Sequence, residues 1–181
     1  MSGLEGRTVG IVNPAPPGLR GGNRVTALRW ARMLRGLGAR TFVRRRYDGE
    51  DCDVLVALHA TKAHDSILLS RHVAPERPIV VGLGGTDVYH DLNNHPETRA
   101  SLELADRIVV LQPLAAEELP AGLRDRVRVI YQSAPKPAGE PQRDSETFEV
   151  CLIGNLRPVK DPLLAARAAR LLPQDSRVRV L

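Results

Sequence analysis

The stretch Gly154-Asn155-Leu156-Arg157-Pro158-Val159-Lys160-Asp161-Pro162 carries the residues best suited to hold an anion. An apolar run, Phe148 to Ile153, precedes it, and a run of helical character, Pro162 to Leu172, follows. A strand that ends in Gly and passes into a helix through basic residues is a common phosphate-binding arrangement. The helix N-terminus offers unpaired N–H groups, and a Lys adds a mobile point charge. Arg157 and Lys160 are therefore the candidates for a clamp on a diphosphate, neutralising charge as a leaving group departs. The plain alternative is a helix start with solvated bases.

A second glycine-bearing turn lies near the other end, in Gly18-Leu19-Arg20-Gly21-Gly22-Asn23-Arg24. Gly21 and Gly22 let backbone approach a ligand where a Cβ would clash. The turn follows the first expected strand, and ligands of α/β sheets bind outside the carboxyl ends of the strands. Neither the Gly-x-Gly-x-x-Gly of a dinucleotide site nor the Gly-x-x-x-x-Gly-Lys of a P-loop is present here. Gly82-x-Gly84-Gly85 begins like the first of these. It continues into Thr86-Asp87-Val88-Tyr89, which does not read as a helix start with a third glycine.

His59, Lys62 and His64 cluster just past the third expected strand, and Thr86 and Asp87 lie past the fourth. Together with Asn23 and Arg24 they are candidates to line a pocket at neighbouring strand ends. His90 is close enough in sequence to stand behind that pocket, and His72 and His95 have weaker claims. No Ser-His-Asp order, paired-carboxylate spacing or metal-ligand spacing stands out.

The elements that must position these residues alternate. Strands are expected at Thr8 to Val12, Ala39 to Arg44, Asp53 to Leu58, Pro78 to Leu83, Arg107 to Leu111 and Arg126 to Tyr131. Helices are expected from Arg24 to about Leu37, Thr61 to Val73, His95 to Ala105 and Ala115 to Leu119. That rhythm, with continuous apolar strands such as Val54-Leu55-Val56-Ala57-Leu58, predicts a doubly wound parallel α/β sheet over residues 1–132. The polar, proline-bearing segment 133–146 reads as a linker. Residues 147–181 then supply strand, helix and strand, a single βαβ unit that cannot bury both faces of its own sheet. The expectation is a second Rossmann-like domain of which this chain holds only the start.

Bulk properties narrow the function. The 26 Lys and Arg exceed the 21 Asp and Glu, giving a net charge of +5 that suits an anionic ligand. The bases are mostly Arg spread over every helix, and aromatic residues make up only 3%, so base stacking on nucleic acid is poorly served. Cys52 and Cys151 have no ligand or Cys-x-x-Cys spacing. No leader-like segment or long apolar run is present, so a cytoplasmic protein with no stable membrane insertion is expected.

The string Gly154 to Ala166 after Glu149 to Ile153 resembles the start of the donor domain in family 4 glycosyltransferases of the GT-B fold. Ala105-Asp106-Arg107-Ile108-Val109-Val110-Leu111 and Arg128-Val129-Ile130-Tyr131-Gln132-Ser133 are similar to the last acceptor-domain strands of that family. Gly22 to Trp30, Gly85 to Tyr89 and Arg157 to Pro162 look most like its selenosugar synthase branch, which joins selenophosphate to the sugar of a UDP-sugar. The resemblance implies a UDP-sugar donor, no further cofactor and no metal, the cationic side chains serving in its place. Gly21, Gly22 and the helix after them would face the diphosphate from one side, and Arg157 and Lys160 from the other. Arg24, His59, Lys62, Thr86 and Asp87 would shape the acceptor pocket.

Two departures from the family bear on chemistry. Many members carry His-Gly-x-Asp where this chain has Gly84-Gly85-Thr86-Asp87, and many have Arg directly after the glycine where this chain has Asn155. A hydroxyl acceptor gains from a base, whereas selenophosphate is already a soft anion that needs cations and N–H donors. Two other functions stay open at this point. One is a family 4 transferase with a hydroxyl acceptor; the other is a non-catalytic module that binds an anion or a partner.

Overall fold

A computed structural model describes residues 3–16, 18, 21–139, 146–154 and 158–181. The chain divides into two compact units, Met1–Ser133 and Ala134–Leu181.

The larger unit is a Rossmann-like α/β fold built on a six-stranded parallel sheet. Its strands are β1 (Thr8–Val12), β2 (Arg40–Arg44), β3 (Val54–Leu58), β4 (Ile79–Gly82), β5 (Arg107–Val110) and β6 (Val127–Val129), in the order β2-β1-β3-β4-β5-β6. Alternate side chains divide between two apolar layers. Val9, Ile11, Val56 and Leu58 pack with Ala27 and Ala31 of α1 (Gly22–Gly36) on one face. Val12, Leu55, Ala57, Ile79, Val81, Ile108 and Val110 form the other layer. That layer is closed by Ile67 from α2 (His64–Val73), Leu102 from α4 (Pro96–Glu103) and Ala115 from α5 (Pro113–Glu117). The period of two in each strand thus serves helices on both sides.

The strand order matters for the site. From β1 the chain runs out to β2, then returns to β3 on the other flank of β1. The connections leaving β1 and β3 therefore depart to opposite faces, and a crevice opens between them at the carboxyl ends. β1 tolerates no side chain at its centre: a Cβ on Gly10 would come within 2.6 Å of the Phe42 ring and 3.2 Å of the Cys52 sulfur.

Most helices begin or end within a few residues of the sequence expectation. The clear exception follows β4. Gly85 to Asn94 is helical throughout, with a π-helical stretch over Asp87–Asp91 continuing into α3 (Leu92–Asn94). A glycine pair before Thr-Asp reads as a turn because glycine disfavours helix, but here Gly84 and Gly85 stand at the helix start, where that penalty is small. A 3₁₀ segment at Ala121–Arg126, also not expected, leads into β6.

The smaller unit pairs β7 (Phe148–Val150) in parallel with β8 (Val178–Val180), joined through a 3₁₀ turn at Pro158–Lys160 and α6 (Leu164–Ala169). No described residue of this unit is buried. Two strands and one helix offer too little apolar surface to close a core. Among the described residues no helix is long and apolar enough to cross a membrane, and both cysteines are free.

Asp106 ties the start of β4 to that of β5. Its Oδ2 accepts the Ile79 N–H at 2.8 Å and an Arg71 N–H at 2.9 Å. Partial burial pushes this carboxyl up, but the Ile79 N–H and the Arg71 guanidinium outweigh it and hold the group below its ordinary value. A depressed folded-state pKa gives stability that is present above the unfolded value of about 3.9 and is lost as pH falls through the folded value. Asp106→Asn should therefore shrink the loss of stability between about pH 4 and pH 2, read as denaturant midpoints across that range. An unchanged acid limb would remove Asp106 from this role.

Candidate functional site

The carboxyl edges of β3 and β4 are joined by one buried side chain. Asp87, 1% exposed, lies at the start of the π-helical stretch. Its Oδ1 accepts the Ala60 N–H at 2.9 Å and its Oδ2 accepts the Gly84 N–H at 2.8 Å. One carboxylate thus satisfies a backbone donor from each of two strand-end turns, and a buried donor left alone is expensive.

His59, the first residue after β3, lies against the same carboxylate. Its Nδ1 is 2.8 Å from Asp87 Oδ1, but the approach is too bent to count as a hydrogen bond, and among the described residues this buried nitrogen has no other partner. Its Nε2 is 3.8 Å from Asp91 Oδ2. The backbone of His59 sits at φ 77°, a left-handed conformation that a residue with a Cβ adopts at a cost of about 1–2 kcal/mol. The neighbouring structure imposes it. The His59 N–H donates to Gly82 O at 3.0 Å while its carbonyl accepts the Ala63 N–H, also at 3.0 Å.

Asp91 extends the network outward. Its Oδ2 accepts the Thr61 hydroxyl at 2.9 Å, and Thr61 in turn lies 2.8 Å from the Thr98 hydroxyl. Its Oδ1 is 2.8 Å from His90 Nδ1. Burial pushes the Asp91 carboxyl up. The bonds from His90 and Thr61, with the nearby rings of His59 and His95, outweigh that and hold it below its ordinary range. Beside it, the Ser101 hydroxyl donates to Ala60 O at 2.9 Å and meets His64 Nδ1 at 2.9 Å.

The structure brings some of the sequence-predicted residues together. Gly21 is the cap of α1, Gly22 its first residue, and the carbonyl of Gly21 accepts the N–H groups of Arg24 and Val25. No acidic residue lies in the first turn of α1, and among the described residues no side chain caps it. A Cβ on Gly22 would meet nothing within 4 Å, so this helix start faces open space. Asn23 lines a small cavity with Gly84, Leu58, Thr26 and Gln132, which joins the α1 turn to the glycine turn after β4. Lys62, in the turn after β3, and Thr86, in the first turn of the helix after β4, are both exposed. Asp87 needs correction: expected to face a ligand, it is buried with both oxygens engaged and acts through the backbone it holds.

In the smaller unit, Lys160 ends the exposed 3₁₀ turn that follows Gly154, and Arg157 lies outside the described residues. Sequence reasoning missed Asp91, Thr61 and Thr98 altogether, because residues that meet across turns of different strands leave no spacing signal. His59, Asp87 and Asp91 bring potential metal-ligand atoms within 4.8 Å of one another. All three are buried and Asp87 already serves two N–H groups, so this trio works as a brace. Compared with known proteins, the chain matches no family model and no curated protein.

Asp87→Ala should lower the stability of the larger unit by about 3 kcal/mol, because two donors lose their acceptor at about 1–3 kcal/mol each. Thr86→Ala, at the exposed neighbour, should stay within about 0.5 kcal/mol. Urea unfolding of both variants checks this, and an Asp87→Ala cost as small as that of Thr86→Ala would remove the brace.

Proposed function

We propose that the protein is a glycosyltransferase of the GT-B kind that moves a sugar from a UDP-sugar to selenophosphate, giving a selenosugar. The observation that carries an anion-binding reading is the uncapped, open N-terminus of α1 beside the Gly84 turn, at the crevice of a parallel sheet. Helix N-termini at this position hold phosphate groups through free N–H donors and the helix dipole. The resemblance of Gly154 to Ala166 to a donor-domain start adds the sugar nucleotide.

In this reading the selenium of selenophosphate donates an electron pair to the anomeric carbon. The bond from that carbon to the diphosphate oxygen breaks, and UDP leaves with the pair. The protein supplies positive charge and N–H donors: in the larger unit the N–H groups of Gly22 and Asn23 with Arg24, and in the smaller unit, as the family resemblance implies, Lys160 and Arg157. An anionic nucleophile has no proton to give up, which agrees with His59 being packed between two carboxylates rather than exposed as a base. A hydroxyl acceptor would gain from a base, and His59 is not placed to serve as one, which weighs against the hydroxyl-acceptor alternative.

The assay is release of UDP from UDP-sugars with selenophosphate or thiophosphate as acceptor. Release should depend on the selenium or sulfur anion and not on added polyols. Lys160→Ala should lower turnover by well over tenfold, while Arg45→Ala, on the loop after β2, should leave it unchanged. Gly22→Val should raise KM without altering the thermal midpoint, since nothing in the fold opposes a side chain there. Equal effects of Lys160→Ala and Arg45→Ala would defeat the clamp, and release driven by a polyol alone would defeat the acceptor.

A further inference from the structure

The surface end of the Asp91 network has a composition that the glycosyl-transfer reading leaves unused. His90 Nδ1 lies 2.8 Å and His95 Nε2 3.9 Å from the same oxygen, Asp91 Oδ1. The three ligand atoms lie within 4.8 Å of one another, and the two rings are 6.0 Å apart, tilted by 40°. We infer that His90, Asp91 and His95 form a binding site for a divalent transition-metal ion of the zinc class.

The argument is one of donor chemistry, reach and preorganisation. Two imidazoles and one carboxylate are a common donor set for zinc, cobalt, nickel and non-haem iron, and neither a magnesium nor a calcium site would be built this way. Metal–ligand bonds of about 2.0–2.2 Å in a tetrahedral site separate neighbouring ligand atoms by about 3.4 Å. The observed separations of 2.8 Å and 3.9 Å straddle that value. Closing the difference requires small rotations of two rings on side chains that are 65% and 46% exposed.

The local backbone explains why these residues meet. The Leu92 N–H bonds to the Asp87 carbonyl five residues back, the π-helical spacing, and such turns recur at functional sites. The His95 N–H then bonds to the Asp91 carbonyl at 2.8 Å, folding the extended residue at the start of α4 back over the end of the π turn. His90 and His95 thereby approach Asp91 from successive turns.

The carboxylate is fixed from behind. Asp91 Oδ2 is held by the Thr61 hydroxyl, which is itself held by Thr98, and Oδ1 is turned to the exposed His90. Ligands oriented in this way by hydrogen bonds from the interior are characteristic of working metal sites. The exposure of both histidines leaves coordination positions open on the solvent side, where water or an anion would complete the shell.

This site does not depend on the glycosyl-transfer reading, and its test needs no turnover. The whole chain is titrated with cobalt(II), read by its visible absorption, and then with zinc by calorimetry and by displacement of the cobalt. One equivalent should bind with a low-micromolar or tighter Kd. His90→Ala and His95→Ala should each weaken zinc by at least tenfold, and the double variant should abolish the cobalt spectrum. Both side chains are exposed, so the thermal midpoints should stay put. His72→Ala, away from the cluster on α2, should bind as the parent does. Absence of a cobalt spectrum at about 100 µM metal, or equal binding by the double variant, would overturn the site.

Discussion

The Asp87 carboxylate holds together the part of the fold on which everything else at the carboxyl edge depends. Parallel strands release their chain at one end, and each release leaves backbone N–H groups that the sheet no longer satisfies. At β3 and β4 two of those donors, on Ala60 and Gly84, converge on a single buried acceptor. The turn after β3 is consequently fixed relative to the turn after β4. His59 is carried in a left-handed conformation that only such over-determination sustains. A charged group with 1% exposure is stable here because it accepts from oriented N–H donors and sits at a helix start, where negative charge is favoured.

That fixed edge gives the α1 turn a rigid neighbour. Gly21 and Gly22 start a 15-residue helix with no capping side chain and no acid in its first turn. Its leading N–H groups and dipole therefore remain for whatever enters the crevice between β1 and β3. Asn23 reaches the Gly84 turn, so the open helix start and the braced turn share a boundary. The chemistry offered at the α1 turn is rich in N–H donors, which is what an anion requires.

Much of this was legible in the residues themselves. The β1 span from Thr8 to Val12 and the continuous apolar β3 were readable because parallel strands covered on both faces leave uninterrupted runs. The α1 turn and the position of His59 followed from the same rhythm. The helix after β4 was not read, since Gly84-Gly85 signals a turn and outweighed the acceptor at Asp87, three residues on, which takes the Gly84 N–H at the helix start. The role of Asp87 was misread for a related reason. A carboxylate beside a glycine turn looks the same in sequence whether it faces a ligand or the backbone, and burial decides between them. The meeting of Thr61, Asp91 and Thr98 joins three separate segments, which no periodicity encodes.

The two oxygens of the Asp91 carboxylate set the inner brace and the surface histidines around one charged group. Its inner oxygen is shared by Thr61 and the approach of His59, and its outer oxygen by His90 and His95. Charge brought to the outer oxygen polarises the same group that faces His59, and hydrogen-bonded chains in a low-dielectric interior strengthen one another. A cation on the surface would thus draw the Asp91 charge outward and leave His59 more dependent on Asp87. The π-helical turn is what makes this possible, because it sets Asp87 and Asp91 on one buried side of a single short segment while turning His90 to the solvent.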